Sequence, residues 1–173
     1  MRGAVGRRSP RNFMDANANQ TLLDRYFAAF AARDGATMGS CYAADATFRD
    51  PVFKLEGSDI GAMWRMLCAR GSDLRIASSN RVADAESGSA DWEAWYAFSA
   101  TGRSVHNLVH SRFRFREGRI VEQVDRFDFW RWSRQALGMP GLLLGWTPLL
   151  RNKVRANAGK ALRHFIEAEN RRS

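Results

Sequence analysis

Cysteine is scarce in this 173-residue chain, and the two cysteines present, Cys41 and Cys68, lie far apart in the sequence. Both stand among apolar neighbours, which favours buried reduced thiols over a disulfide and predicts a cytoplasmic location. No run of about 18 uncharged apolar residues could span a bilayer. Glycine-rich phosphate loops, nucleophile elbows and Cys/His clusters are missing as well, so we expect no cofactor and no bound metal.

Acidic residues are fewer than basic ones, 18 against 27, which gives a formal net charge of +9. The excess lies at the two ends of the chain. Residues 1–14 carry four arginines and no acid, residues 148–173 carry seven bases and two acids, and the body between them holds 16 of each. Because the body is neutral, we expect solvated basic ends and no nucleic-acid binding, with an anionic partner as the alternative.

The pattern of apolar residues predicts helices first and strands afterwards. Helical spacing in the first part of the chain gives way to strict alternation. This order is typical of an α+β domain in which N-terminal helices pack on one curved antiparallel β-sheet. The predicted helices span 19–33, 36–43 and a third beginning at Ser58 or Asp59, and the predicted strands span 46–53, 74–83, 90–100, 104–116 and 119–130.

The two ends of the chain differ from the body. Residues 1–16 show no periodicity and predict a disordered basic leader, followed by one folded domain over 17–132 and a helical extension over 133–173. In the extension, a short helix near 131–137 and a glycine-punctuated apolar stretch precede a final helix over 148–170, with Pro148 in its first turn. The extension packs on the domain or forms a lid over it; contact with a membrane surface through 137–172, or with a partner protein, is the alternative.

One segment points to a known family. The run Tyr42-Ala43-Ala44-Asp45-Ala46-Thr47-Phe48-Arg49-Asp50-Pro51, with the later Gly118-Arg119-Ile120-Val121-Glu122, resembles the SnoaL-like polyketide cyclases and ketosteroid isomerases of the nuclear transport factor 2-like superfamily. The resemblance covers about residues 19–132. It implies a cone-shaped sheet with a deep apolar pocket, an apolar small-molecule partner and a homodimer formed through the outer sheet face. Such families include isomerases, cyclases, dehydratases, epoxide hydrolases and proteins without chemistry.

Asp50 is the first candidate catalytic residue. Strand alternation places it with Phe48 and Val52 on an apolar face, where burial would raise its pKa toward that of a base near neutral pH. The alternative is that Asp50 only ends the strand in a turn with Pro51. By resemblance, Asp50 matches the aspartate with which ketosteroid isomerases move a proton between carbons.

Tyr26 is the second candidate, on the apolar face of the first helix. A buried phenol needs a hydrogen-bond partner, and the carbonyl or enolate of a ligand would serve; a core tyrosine whose hydroxyl reaches the rim is the alternative. Ketosteroid isomerases carry an oxyanion-donating tyrosine on this helix. Their second donor, a protonated aspartic acid, matches Ser111 here, with Asn107 on the same face. A serine hydroxyl donates more weakly, which argues against efficient steroid isomerisation.

Asp125 is the third candidate, because alternation along the last strand puts it on one face with Gln123 and Phe127. SnoaL-like cyclases carry an acid/base aspartate on the inner sheet face of the corresponding stretch. If Asp50 and Asp125 face one cavity, like-charge repulsion would keep one of them protonated. The alternative is an ion pair between Asp125 and an arginine on a neighbouring strand.

Among the many aromatic residues, we place Trp64, Phe113 and Phe127 against a flat apolar ligand. His106 and His110 lie about 13 Å apart along an ideal strand at roughly 3.3 Å per residue, which is too far for one metal ion.

The sequence therefore predicts a small-molecule pocket protein, acting as a cofactor-free isomerase, cyclase or dehydratase on an apolar carbonyl compound. A non-catalytic binding protein for an apolar ligand and a membrane-associated scaffold are the alternatives, and whether the protein is an enzyme stays open at this point.

Overall fold

The computed structural model describes residues 10–172. These residues begin and end with long helices that flank a run of strands. In chain order the elements are α1 (Pro10–Ala31), α2 (Gly35–Ser40), β1 (Tyr42–Arg49), β2 (Lys54–Glu56), α3 (Ser58–Arg70), β3 (Arg75–Ala83), β4 (Ser87–Ala97), β5 (Ser104–Arg116), β6 (Arg119–Arg126), α4 (Phe129–Leu137), α5 (Met139–Leu144) and α6 (Pro148–Asn170).

The strands form one sheet in the order β2-β1-β6-β5-β4-β3. The predicted α+β class is confirmed, and β3 to β6 form the expected antiparallel meander. The expectation of a wholly antiparallel sheet is wrong, because β1 pairs with β6 in parallel, with Phe48 opposite Gln123. Alternation predicts which face a side chain occupies but not the direction of the neighbouring strand.

Helix α1 begins at Pro10, so the prediction of a disordered leader is wrong for residues 10–16. Residues 1–9 lie outside the described part of the chain. Met14, near the start of this helix, is 70% exposed, whereas packing stabilises α1 further along the chain. Asn19, which is buried, donates hydrogen bonds to the carbonyl oxygens of Asp84 and Ala85 and so ties α1 to the β3–β4 turn.

Helices α1 and α3 pack on the inner face of the sheet and enclose an aromatic core. Alternation along β5 is as predicted: Val105, Val109 and Phe113 are buried on this face. The rings of Tyr26 and Trp64 pack edge to face with their centroids 6.0 Å apart, and other rings of the core adopt similar geometry. Edge-to-face packing of this kind stabilises beyond area burial alone.

The last strand ends at Arg126, so the predicted strand over 119–130 is wrong for its final residues. The side chain of Asp128 accepts a hydrogen bond from the Arg131 backbone N–H at 3.0 Å and caps α4, which begins at Phe129. An N-terminal aspartate cap stabilises a helix over an extended continuation of the strand.

The final helix, α6, spans the predicted residues 148–170. Leu162 is buried in the main core, and Arg65 on α3 forms a bidentate ion pair with Glu169 at 2.8 and 2.9 Å. Val154 packs with Phe129 of α4 in a second apolar cluster. Helices α4 and α6 therefore lie against the domain. In the part of the chain that the structure describes, no helix is long and apolar enough to cross a membrane.

Candidate functional site

A buried carboxyl group lies at the centre of the inner sheet face. Asp125 on β6 stands directly opposite Ser111 on β5, and it is 4% exposed. Its Oδ1 accepts hydrogen bonds from the Ser111 hydroxyl at 2.5 Å and from the Gln123 amide at 2.9 Å. The Trp92 indole N–H in turn donates to Ser111 at 2.8 Å. Among the described residues, both hydrogen bonds to the Asp125 carboxyl group reach Oδ1, and none reaches Oδ2.

Tyr42 connects this carboxyl group to the helices. Its hydroxyl donates to Oε1 of Gln123 at 2.5 Å and accepts from the Trp64 indole N–H at 2.9 Å. The hydroxyl of Tyr26 lies 3.3 Å away from that of Tyr42. Seven polar side chains from two helices and four strands thus form one buried network around Asp125, a connected arrangement that fixes each group's orientation.

Burial dominates the protonation of this network. It raises the pKa of Asp125 to about 7, although the hydrogen bonds from Ser111 and Gln123 act in the opposite direction. Burial also raises the pKa of Tyr26 and of Tyr42 well above the ordinary range of tyrosine, so both remain protonated at neutral pH. A carboxyl group with a pKa near 7 can act as either an acid or a base under physiological conditions.

Asp50 occupies a turn, not a strand. Strand β1 ends at Arg49, so the prediction that Asp50 shares a strand face with Phe48 and Val52 is wrong. Oδ1 of Asp50 accepts hydrogen bonds from the backbone N–H groups of Val52 and Phe53 at 2.6 and 2.5 Å. This is the turn with Pro51 that the sequence left as the alternative, since proline offers no N–H for a ladder and the aspartate side chain takes the next two.

From this turn, the charge of Asp50 acts on the other acid. Burial raises the pKa of Asp50 to about 6, against the lowering effect of its two backbone hydrogen bonds and of Arg155. Repulsion between the charges of Asp50 and Asp125 adds to the raised pKa of Asp125. Burial raises the pKa of Tyr96, and the charge of Asp50 adds to that rise. The two acids and Tyr96 therefore belong to one electrostatic environment.

Helices α4 and α6 cover this region. The indole N–H of Trp132 on α4 donates to the Tyr96 hydroxyl at 2.9 Å, and Arg155 on α6 donates to the carbonyl of Pro51 at 2.9 Å. Val52, beside Asp50, packs in the same apolar cluster as Trp132. The extension thus contacts the Asp50 turn directly.

Comparison with protein families identifies the architecture. A family model described as a SnoaL-like domain matches residues 23–123, more than half of the chain. The chain belongs to the SnoaL-like domain family. The resemblance predicted from the Tyr42–Pro51 segment is confirmed. The SnoaL-like match ends just before Asp125 and leaves α4 to α6 outside it. No curated protein matches the sequence.

Solved structures share the SnoaL-like fold at low identity. A hypothetical protein with a ketosteroid isomerase-like fold from Catenulispora acidiphila, in complex with trimethylamine, is 16% identical with a TM-score of 0.60, over 73% of this chain and 97% of that one. An NTF2-like protein of unknown function from Burkholderia pseudomallei is 19% identical with a TM-score of 0.59, over 69% and 98%. An LEH-like epoxide hydrolase from M. tuberculosis is 17% identical with a TM-score of 0.58, over 79% and 97%. At these identities the similarity shows the fold.

Apart from Asp50 and Asp125, the predicted site residues occupy three places. Tyr26, Trp64 and Ser111 join the buried network around Asp125. Phe113 packs edge-on against Tyr26, with ring centroids 6.0 Å apart, and is part of the core. The other two predicted ligand contacts lie toward the region covered by α4: Phe127, which follows the end of β6 and packs in both apolar clusters, and Asn107, which is partly buried on the inner face of β5 beyond Val109.

Sequence reasoning missed Tyr42, Gln123 and Trp92 as members of the network. Gln123 offered a usable signal, because a polar residue two positions from Asp125 shares its strand face. Tyr42 offered none, since the sequence predicts a helix over 36–43 whereas α2 ends at Ser40 and β1 begins at Tyr42. The alternative that an arginine pairs with Asp125 is wrong, because its partners are Ser111 and Gln123.

The outer face of the sheet is chemically different from this site. His106 and His110 pair there with Glu93 at 2.6 Å and with Asp91 at 2.7 Å. A groove of about 990 Å³ also opens on this side, and seven of its 15 lining residues are charged, Arg112, Arg114 and Glu122 among them. The Arg112 and Arg114 side chains alternate along β5 with the inward Ser111 and Phe113. Among the described residues, no cluster of His, Cys, Asp and Glu has the arrangement of a metal site.

Proposed function

We propose that this protein is a cofactor-free acid/base enzyme that isomerises, cyclises or dehydrates an apolar carbonyl compound bound between the inner sheet face and the covering helices. One observation carries the proposal: Asp125 is buried, electrostatically coupled to Asp50, and has one carboxyl oxygen without a protein partner. Two acids whose pKa values are raised by desolvation are typical of proton-transfer sites.

The different pKa values assign the roles. Between about pH 6 and about pH 7, Asp50 is mainly ionised and Asp125 mainly protonated. Asp50 then removes a proton from the carbon next to the carbonyl group, and the proton on Asp125 is available to the developing enolate oxygen. In an isomerisation the proton returns to a different carbon of the same molecule, so both acids regain their starting state.

The surrounding network supports the acid. Ser111 and Gln123 fix Oδ1 of Asp125, which leaves Oδ2 to carry the proton and to face the ligand. Tyr26, kept protonated by burial, is the second proposed donor to the enolate. Trp64, Phe113 and Phe127 supply apolar surface, and Asn107 a further polar contact toward α4.

The test is a ligand screen followed by turnover assays. The probes are steroid enones, phenols and polyketide-like aromatics, with epoxides added because one structural neighbour is an epoxide hydrolase. A ligand present at about 100 times its dissociation constant adds roughly 2.7 kcal/mol to the free energy of unfolding, which is visible as a thermal shift. Hits are then assayed for product with the wild type, Asp50→Asn and Asp125→Asn.

We expect both variants to keep the fold and to lose at least about a hundredfold in kcat, in the range typical of a lost general acid or base. Asp15→Asn, on the exposed face of α1, is the matched control and should match the wild type. Turnover that survives in both Asp50→Asn and Asp125→Asn would refute the acid/base assignment. Saturable binding without product from any hit would instead establish the non-catalytic binding protein.

A further inference from the structure

Large apolar side chains are exposed together at the junction of α4, α5 and α6. Of the ten large hydrophobic residues that are exposed in the described chain, seven belong to this junction. Trp146 and Leu149 are 72% and 75% exposed. We call these residues the apolar patch: Trp130, Met139, Leu142, Leu143, Leu144, Trp146 and Leu149.

The exposure is built into the packing of α5. Gly141 and Gly145 are buried and face α4: a Cβ atom on Gly141 would lie 1.8 Å from the Ser133 carbonyl oxygen, and one on Gly145 would lie 2.1 Å from the Ser133 hydroxyl. The Ser133 hydroxyl is 3.2 Å from the carbonyl oxygen of Gly141. With its glycines turned toward the protein, α5 presents its leucines to the outside, the reverse of a helix that contributes to a core.

The chain around the apolar patch carries charge of one sign. From Phe129 to Ile166 the sequence contains no aspartate or glutamate. The same stretch carries seven bases, namely Arg131, Arg134, Arg151, Lys153, Arg155, Lys160 and Arg163. The Arg134 guanidinium lies 4.3 Å from the centre of the Trp130 ring, so a base is placed at the border of the patch itself.

We propose that the apolar patch seats in the interface of a membrane that contains anionic lipids, with the surrounding bases on the headgroups. Leucine and tryptophan side chains beside clustered cations are the composition of interfacial helices. The helices here are too short or too polar to span a bilayer, so the protein would lie on the surface. A second copy fits less well, because an isologous contact at this patch would bring two basic surfaces together. This inference is independent of the proposed reaction.

The experiment is co-sedimentation of the full chain with two kinds of vesicle, pure phosphatidylcholine and phosphatidylcholine with about 30% phosphatidylglycerol. We expect binding to the anionic vesicles and at least about tenfold weaker partitioning to the neutral ones, since each base near the surface contributes substantially. Raising the salt from about 0.1 M to about 1 M shortens the screening length from about 10 Å to about 3 Å and should weaken binding.

Two variants separate the apolar and the electrostatic contributions. Leu143→Ser/Trp146→Ser/Leu149→Ser removes three of the most exposed apolar groups, and Lys153→Gln/Lys160→Gln removes two exposed bases; each should reduce partitioning about tenfold or more. Matched controls at the sheet, Val82→Ser/Leu108→Ser and Arg112→Gln/Arg114→Gln, should bind like the wild type. Circular dichroism and the melting temperature check that every variant is folded.

The proposal is overturned if wild-type protein does not sediment with anionic vesicles, or if the patch variant sediments as well as the wild type. It is also overturned if light scattering shows a dimer that the Leu143→Ser/Trp146→Ser/Leu149→Ser variant converts to a monomer, because the patch would then be the interface with a second copy.

Discussion

Asp50 and Asp125 are held in different ways although both titrate near neutrality. Asp125 accepts two side-chain hydrogen bonds inside the core, whereas Asp50 accepts two backbone N–H groups in a turn at the edge of the sheet. In each case burial outweighs the hydrogen bonds and raises the pKa. The consequence at the scale of single residues is a dependence of stability on pH.

The first prediction concerns that dependence. Both acids have a folded-state pKa above the unfolded value of about 3.9, so the folded protein keeps protons that the unfolded chain releases. The free-energy contribution of Asp125 is therefore fully present below about pH 4 and is lost as pH rises to about 7. Between about pH 4.5 and about pH 7.5, the wild type should lose on the order of a few kcal/mol of unfolding free energy through Asp125, and Asp125→Asn should not show this loss. Urea unfolding of both proteins at the two pH values measures it. The control Asp15→Asn should show the same pH dependence of the unfolding free energy as the wild type. If Asp125→Asn also shows the wild-type pH dependence, the raised pKa of Asp125 is contradicted.

The second prediction separates the turn from the chemistry at Asp50. Asparagine keeps an oxygen that can accept from Val52 and Phe53, whereas alanine leaves both N–H groups without this acceptor. Asp50→Ala should therefore unfold with about 1–2 kcal/mol less free energy than Asp50→Asn, measured by urea denaturation at about pH 7. Equal free energies of unfolding in the two variants would show that hydrogen bonds to the side chain of residue 50 do not stabilise the turn.

At the scale of elements, the contact between α4 and α5 depends on glycine. Ser133 is buried, and its carbonyl and hydroxyl oxygens occupy the space where side chains at Gly141 and Gly145 would go. This close approach fixes the direction of α5 and with it the outward orientation of the apolar patch.

The third prediction tests this contact. Gly141→Ala should push α5 away from α4 and increase hydrogen exchange and protease cleavage over residues 139–146. The matched control is Gly159→Ala in α6, where the new Cβ would meet only the Arg163 guanidinium at 3.6 Å; it should gain up to about 1 kcal/mol from helix propensity. Unchanged exchange in Gly141→Ala would show that α5 is not held by this approach.

At the scale of the whole molecule, α6 belongs to the same core as the SnoaL-like domain. Leu162 is 4% exposed and packs with the residues of α1, α3 and the sheet in one cluster, and Glu169 pairs with Arg65. Because α1 and α6 share this core, we expect one cooperative unfolding transition.

The fourth prediction follows from this shared core. Leu162→Ala should lower the free energy of unfolding of the whole protein by about 2–5 kcal/mol, through lost burial and the cavity left behind. Leu149→Ala, in the same helix but 75% exposed, should change it by no more than about 0.5 kcal/mol. A Leu162→Ala variant that loses only α6, in a separate early transition, would contradict a single cooperative unit.

The sequence by itself determined the class of fold, the inward face of β5 and the span of α6, because these depend on local periodicity and on helix-start signals such as Pro148 in the first turn of α6. It also identified Asp125, Ser111 and Tyr26 as inward-facing polar residues. Tertiary structure decided the rest. The parallel pairing of β1 with β6, the hydrogen bond between Tyr42 and Gln123, and the electrostatic effect of Asp50 on Asp125 join residues far apart in the chain. Periodicity assigns a side chain to a face; only strand direction, register and turn geometry decide which distant group it meets.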